Sequence, residues 1–320
     1  MTPPVAVTGA AGFVGQALVA QLLAAGHRMR ALVHRTPLAI RHPDLEVVTG
    51  GLADEAALTR LMEGCAGVVH VAGLVRGRSE ADFLPVNADA VARVARIART
   101  ACVTPRVVLI SSLAAREPQL SPYAASKHAG EARLASVADD TGLSCAVLRP
   151  PAIYGRGDRE LLPLFRLMAR GLVPLPGAPG ARASLLHVDD LATAAITLLE
   201  SDAQGTFELH DGHAGGYDWA GIAETVERVA GRGRGWRVRI PGAALRGVAS
   251  LNLVASRILR YQPMLTPGKV NELRHPDWVC DNTAISHATG WHPAHQLYDG
   301  LLPLLGRPHR KIEETPSNVI

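Results

Sequence analysis

Tyr123 and Lys127 lie four residues apart in "LSPYAASKHAGEARL" (120–134). Residues i and i+4 share one face of a helix, so the ammonium can act on the phenol through space. A free tyrosine titrates at about 10 and exchanges protons poorly at neutral pH unless a nearby cation favours phenolate. Ser121 suits an N-cap and Pro122 the first helical position, so a helix is expected to begin just ahead of Tyr123. Ser112 is the preferred hydroxyl partner. It follows the apolar run "RVVLI" at the carboxyl end of a strand, where open α/β sheets bind ligands. Ser111 is the second choice. Taken singly, each of these residues also has a bland role as a surface or strand-end group.

A second constellation opens the chain. "VAVTGAAGFVGQALVAQLL" (5–23) is strand, turn and helix, with Gly9, Gly12 and Gly15 spaced G-x-x-G-x-x-G. Such glycines permit a tight bend and close backbone approach, and the helix N-terminus faces a pyrophosphate. Phe13 and Val14 begin that helix and join the expected cofactor surface. The next strand ends in "ALVHRT", which places Arg35 where a dinucleotide-binding chain selects its cofactor. A carboxylate there would bind the ribose diol of NAD; an arginine accommodates the 2′-phosphate of NADP. The first acid after it is Asp44. NADP(H) is therefore preferred, with NAD(H) left open if Arg35 is merely solvated. Asp54 fits a helix N-cap. With Leu52, and with Ala72 and Gly73 after "GVVHV", it is expected along the same ligand-binding rim.

Positioning these groups requires alternating elements. Strands are expected at 4–8, 28–34, 67–72, 106–111 and 144–149, with helices near 13–25, 54–63, 84–101 and 122–139. Strands of near-continuous Val, Leu and Ala suit a parallel sheet buried on both faces. The alternation predicts a doubly wound α/β Rossmann fold. Residues 1–155 then form a dinucleotide-binding domain that carries the catalytic groups. From 156 to 306 the rhythm breaks at Pro/Gly-rich stretches such as "PLPGAPGARAS", and returning sheet elements are expected to mix with a smaller substrate-binding lobe. Among them are "GTFELHDG" as a strand and "DWAGIAETVERVAG" as a helix capped by Asp218. The polar tail 307–320 is expected to be disordered.

Composition excludes several classes. Charged residues make up 19% of the chain and the net charge is only +4, without a basic block that would suggest nucleic acid. No apolar run reaches the length of a membrane span. Cys65, Cys102, Cys145 and Cys280 show neither metal-ligand spacing nor a disulfide framework, so no metal is expected and a cytoplasmic location is the simple expectation.

"TGAAGFVG", "VVHVAG", "LISS", "YAASK" and "LRPPAIYG" occur in an order that resembles the extended short-chain dehydrogenase/reductase family. The nearest branches are the NAD-dependent epimerase/dehydratases and the 3β-hydroxysteroid dehydrogenase/dihydroflavonol reductases. The resemblance is strong over residues 5–200 and thinner to about 305. It implies that Tyr123 is the general acid/base, that Lys127 lowers its pKa and binds the nicotinamide ribose, and that Ser112 orients the substrate oxygen. It also implies that Asn87 helps hold a water linked to the lysine, and that Pro150, Ala152 and Ile153 line the nicotinamide. A homodimer through the helices near 84–101 and 122–139 is a further implication.

Two departures bear on the substrate. Sugar-nucleotide members carry an arginine four residues before the H-V-D-D motif; here that position is Ala183, with Arg182 beside it. Only ten residues separate Ser112 from Tyr123, fewer than in most epimerases. The expectation is therefore an NAD(P)-dependent oxidoreductase acting on the ketone or alcohol of a small or hydrophobic molecule. A sugar-nucleotide epimerase/dehydratase and a non-catalytic nucleotide-binding subunit are the alternatives. The stretch "AALRGVASLNLVASRILRYQPML" is a candidate apolar lid, or equally an ordinary core helix.

Overall fold

The computed structural model describes residues 2–306; the tail expected at 307–320 lies outside the described residues. Six strands form most of the central sheet: β1 (Val5–Thr8), β2 (Met29–Val33), β3 (Leu45–Thr49), β4 (Gly67–His70), β5 (Arg106–Ile110) and β6 (Ser144–Arg149). With the strand Gly205–Glu208 at one edge, the order is that strand, β6, β5, β4, β1, β2, β3. Every pairing is parallel. The order reverses between β1 and β4, so the crevice above their carboxyl ends is the topological switch point where such sheets take ligands.

β3 is absent from the strands expected above. It is an edge strand with three of its five residues exposed, so the continuous apolar signal of a doubly covered strand is missing.

Helices cover both faces. α1 (Phe13–Ala24) and the helix Val188–Leu199 pack on one side. On the other lie α2 (Glu55–Met62), α3 (Glu80–Leu84), α4 (Ala90–Ala101) and α5 (Pro122–Thr141). α3 and α4 are joined by a π-helical turn, Pro85–Asp89, so the single helix expected at 84–101 is interrupted at its start. A further apolar cluster, which includes Tyr154, Phe165, Ile222 and Leu301, packs the C-terminal elements together. There the helix Trp219–Val229 begins at Asp218, whose carboxylate accepts from the Gly221 N–H.

The helix Gly242–Leu259 is different. Its buried residues are Leu245, Ala249 and Ser256, which pack in a small cluster with Val270. Most of its other apolar side chains face outward, so it is not an ordinary core helix. Among the described residues no helix is long and apolar enough to cross a membrane.

Candidate active site

The turn after β1 is shaped by close backbone approach. Gly9 has φ +72, and a Cβ there would stand 2.5 Å from the Ala72 nitrogen. A Cβ on Gly15 would stand 2.1 Å from the Gly9 carbonyl oxygen, so neither position admits a side chain. Gly12 is the N-cap of α1, which carries no side-chain cap and no acid in its first turn. The free N–H groups and the helix dipole suit a phosphate, and the bare glycine surface leaves room for one. These residues therefore fit a dinucleotide.

Val14 packs against the core, while the Phe13 ring approaches Gly157 in the loop after β7 (Ala152–Tyr154). Arg35, two residues beyond β2, is exposed and takes part in no ion pair among the described residues. Asp54 caps α2 by accepting from the Ala57 N–H at 2.9 Å, and the Leu52 carbonyl accepts from Arg93 at 3.0 Å. Pro150 ties the β6 end to the active-site loop, its carbonyl accepting from the Leu113 N–H at 2.8 Å. Ala152 and Ile153 belong to β7, which pairs with the strand Leu185–His187. His187 caps the following helix.

α5 starts as expected: Pro122 is its first residue, and the Ser121 hydroxyl accepts from the Ala124 N–H at 3.0 Å. Tyr123 and Lys127 project from its first turns. Ser112, two residues beyond β5, faces Tyr123 closely enough for its hydroxyl to lower the phenol pKa, and its oxygen accepts from the Ala114 N–H at 3.2 Å. Ser111 points away into the protein and donates to Glu131 at 2.5 Å. Arg149 holds the same carboxylate, also at 2.5 Å. Of the two serines, Ser112 is the one beside the phenol.

Lys127 is buried, and its ammonium donates to the Ile110 carbonyl at 2.8 Å. Burial pushes its pKa down to about 8, against the opposing pull of Glu131. Asn87 sits in the π-turn. Its amide donates to the Leu74 carbonyl and the Ser126 hydroxyl, each at 2.9 Å, and its oxygen accepts from the Leu74 N–H at 2.7 Å. Gly73 lies between them: a Cβ there would be 3.4 Å from the Asn87 oxygen and 3.6 Å from the Lys127 ammonium.

A cation from a distant part of the chain is set against the phenol. It is Lys269, whose ammonium lies 5.8 Å from the Tyr123 ring centroid. Burial raises the Tyr123 pKa, while the Ser112 hydrogen bond and the Lys269 charge pull it back. Lys269 is fixed by Glu272 at 2.8 Å, and Glu272 also accepts from Ser121. Gly268 permits this docking, since a Cβ there would meet the Ser121 Cβ at 2.8 Å. Nothing in the local sequence of "TPGKVNELR" indicates that it returns to Tyr123. The field of Lys127 falls on His70, a buried imidazole bonded to Thr8 at 2.8 Å and pushed down to about 3, chiefly by burial.

A cavity of about 200 Å³ opens over Tyr123. Val75, Phe83, Leu253, Pro263 and Met264 supply its apolar wall, and Arg78, Lys269 and Glu272 its charged groups. The site thus combines a phosphate-binding turn, a hydroxyl–phenol pair and an apolar pocket on the rim of one sheet.

Residues 5–209 match the family model described as the NAD dependent epimerase/dehydratase family. The chain belongs to that family. A protein named ceramide reductase from Caulobacter vibrioides is 40% identical over 280 residues, covering 86% of this chain and 85% of the relative. A 2-alkyl-3-oxoalkanoate reductase from Stenotrophomonas maltophilia is 31% identical over 223 residues, covering 62% and 66% of the two chains. The structure of MoeE5 in complex with UDP-glucuronic acid and NAD superposes with a TM-score of 0.71 at 23% identity, covering 93% of this chain and 96% of that one. It shares the Rossmann-like architecture. As a member of the epimerase/dehydratase family, the chain places its glycine turn, Ser112, Tyr123 and Lys127 around the switch-point crevice.

Proposed function

We propose that this protein is an NADP(H)-dependent reductase of a ketone carried on a long alkyl chain. The observation that carries the reading is the apolar cavity directly over Tyr123, a phenol whose pKa the neighbouring Ser112 hydroxyl pulls down. The reductase names of two relatives, both concerned with lipid-like molecules, support the same substrate class. Gly9, Gly12, Gly15 and Lys127 would hold a dinucleotide, which would supply the hydride for the carbonyl carbon. Tyr123 gives its phenolic proton to the carbonyl oxygen, and Ser112 donates a hydrogen bond to that oxygen as its negative charge grows. Asn87 holds the Leu74 backbone and Ser126 in place, so that Gly73 leaves open space beside Lys127. Phe83 and Leu253 flank the alkyl chain and keep water from the carbonyl.

A sugar-nucleotide substrate is less well served. Arg182 is committed to the Gly215 and Gly216 carbonyls, at 2.5 and 2.6 Å, so it is not free for a pyrophosphate. For the cofactor, Arg35 is the proposed 2′-phosphate partner. A homodimer through α4 and α5 belongs to the same proposal, and a monomer mass by light scattering would remove it.

The test is fluorescence titration with NADPH and NADH for wild type and Arg35→Ala, followed by turnover of long-chain 3-oxo esters. NADPH preference lost in the variant, with Tyr123→Phe lowering turnover at least about a hundredfold, is the expected result. Tight NADH binding indifferent to Arg35, together with conversion of a UDP-sugar, would replace this reading with the epimerase one.

A further inference from the structure

The apolar side chains that this protein leaves exposed are concentrated in one place. Of the thirteen large exposed ones among the described residues, eight fall between Trp236 and Met264. The same region is one-sided in charge: from Arg228 to Asn271 the chain carries nine Arg and Lys residues and no Asp or Glu. The rest of the sequence holds more acids than bases, so the basic excess of the whole chain comes from this segment.

The helix Gly242–Leu259 organises both features. At about 100° per residue, Val248, Leu251, Val254 and Ile258 form one outward stripe, and Leu245, Ala249 and Ser256 the buried side. Leu251 and Ile258 are 72% and 74% exposed, more than a folded chain ordinarily tolerates in a row. Arg246 and Arg257, three turns apart, lie in line along the border between the two sides, and Arg260 follows at the C-cap. Long arginine stems can run beside an apolar stripe and carry their charge to a phosphate layer. An apolar stripe bordered by cations without acids has the charge complement of an anionic lipid surface.

The same helix also borders the pocket, from its inner side. Leu253, on the same helix, and Met264, just beyond it, line the cavity over Tyr123, while Met264 is itself exposed. Asn252 holds this connection by donating to the Leu265 carbonyl at 2.8 Å.

We infer that the helix Gly242–Leu259 docks the protein onto the surface of an anionic phospholipid bilayer, with the Tyr123 pocket on the inner side of the same helix. The helix lies in the interface and does not span it. Docking extends the proposed reductase function by holding the active site close to the bilayer that carries an alkyl-chain ketone.

Sedimentation of the full-length protein with vesicles tests this directly. The vesicles are phosphatidylcholine alone or an equal mixture with phosphatidylglycerol, and no cofactor or ketone is present. Wild type is expected to partition onto the mixed vesicles at least about tenfold more strongly, with the preference weakening at high salt. Leu251→Asp/Ile258→Asp is expected to lose this binding at least about tenfold while turning over ethyl acetoacetate, a water-soluble 3-oxo ester, as wild type does. Arg246→Glu/Arg257→Glu is expected to remove the anionic preference. Equal partition onto both vesicle types, or unchanged binding by the Leu251/Ile258 variant, overturns the inference. So does a wild-type dimer that the same variant dissociates, since the face would then belong to a second copy. The binding assay needs no turnover, so docking and the reductase reading fail separately.

Discussion

The Lys269 ammonium lies 5.8 Å from the ring centroid of Tyr123 and is anchored there by Glu272. Two helices far apart in the chain thus meet at the phenol, and a cation acting on it comes from outside its own helix. Lys269 lowers the Tyr123 pKa, so Lys269→Met should raise it. When an alcohol is oxidised Tyr123 must accept a proton, and the rise of kcat/KM with pH should then move to higher pH. In the reducing direction, the fall at alkaline pH should move the same way. Lys269→Arg should restore the wild-type profile. Superimposed profiles for Lys269→Met and wild type would mean that this charge does not govern Tyr123.

The two adjacent serines should separate cleanly. Ser112→Ala removes the hydroxyl beside the phenol and should lower kcat/KM on the order of a hundredfold, with little change in melting temperature. Ser111→Ala leaves buried Glu131 short of a donor and should cost roughly 1–3 kcal/mol of stability. Its effect on kcat/KM should be the smaller of the two. Denaturant midpoints and kinetics on the same preparations decide the matter, and a reversed pattern would exchange the two roles.

Lys127 is held at a cost to stability. Its pKa falls from the ordinary 10.5 to about 8, a difference corresponding to about 3 kcal/mol. Between those two values the unfolded chain binds the proton and the folded chain has released it, so stability rises with pH across the window. Below about 8 both states are charged and the full cost remains. Lys127→Met should therefore be inactive yet no less stable than wild type at pH 7. The stability advantage of the variant should shrink as the pH is raised from 7.5 to 9.5. Urea midpoints at the two pH values give the answer, and a variant that is less stable at pH 7 contradicts it.

Two glycines to alanine should act in opposite directions. A Cβ on Gly130 would stand 2.1 Å from the Asn87 carbonyl oxygen, and a backbone atom cannot swing aside. Gly130→Ala should destabilise by roughly 1–3 kcal/mol or more and disturb the Asn87 hydrogen bonds. Gly247 is helical with nothing within 4 Å of its Cβ position. Gly247→Ala should stabilise by up to about 1 kcal/mol through helix propensity alone. Thermal melts of the pair test both signs.

Much of the active-site frame is carried by local sequence. The glycine spacing after β1, the Ser121–Pro122 start of α5 and the Asp54 and Asp218 caps each rest on interactions within a few residues, and all four stand where expected. The buried strands β1, β4 and β5 announce themselves because both of their faces are apolar. β3 does not, because an edge strand with exposed residues lacks that signature. Pro85 is visible in the sequence. The π-turn it begins depends on Gly130 of α5 leaving room for the Asn87 carbonyl, and that is a contact between distant elements.

The sequence by itself determined the types and local placement of the reacting groups: a hydroxyl at a strand end, a phenol and an ammonium on one helix, and glycines at a helix N-terminus. Only the tertiary structure decided which groups act on which. Lys127 turns to the Ile110 carbonyl and the field of Lys269 reaches Tyr123, because electrostatic forces depend on distance through space and not along the chain. The same holds for the helix Gly242–Leu259. Its apolar periodicity fits a core or a lid equally well, and exposure is settled only by what packs against it, which here is Val270 meeting Leu245 and Ala249 on one narrow side.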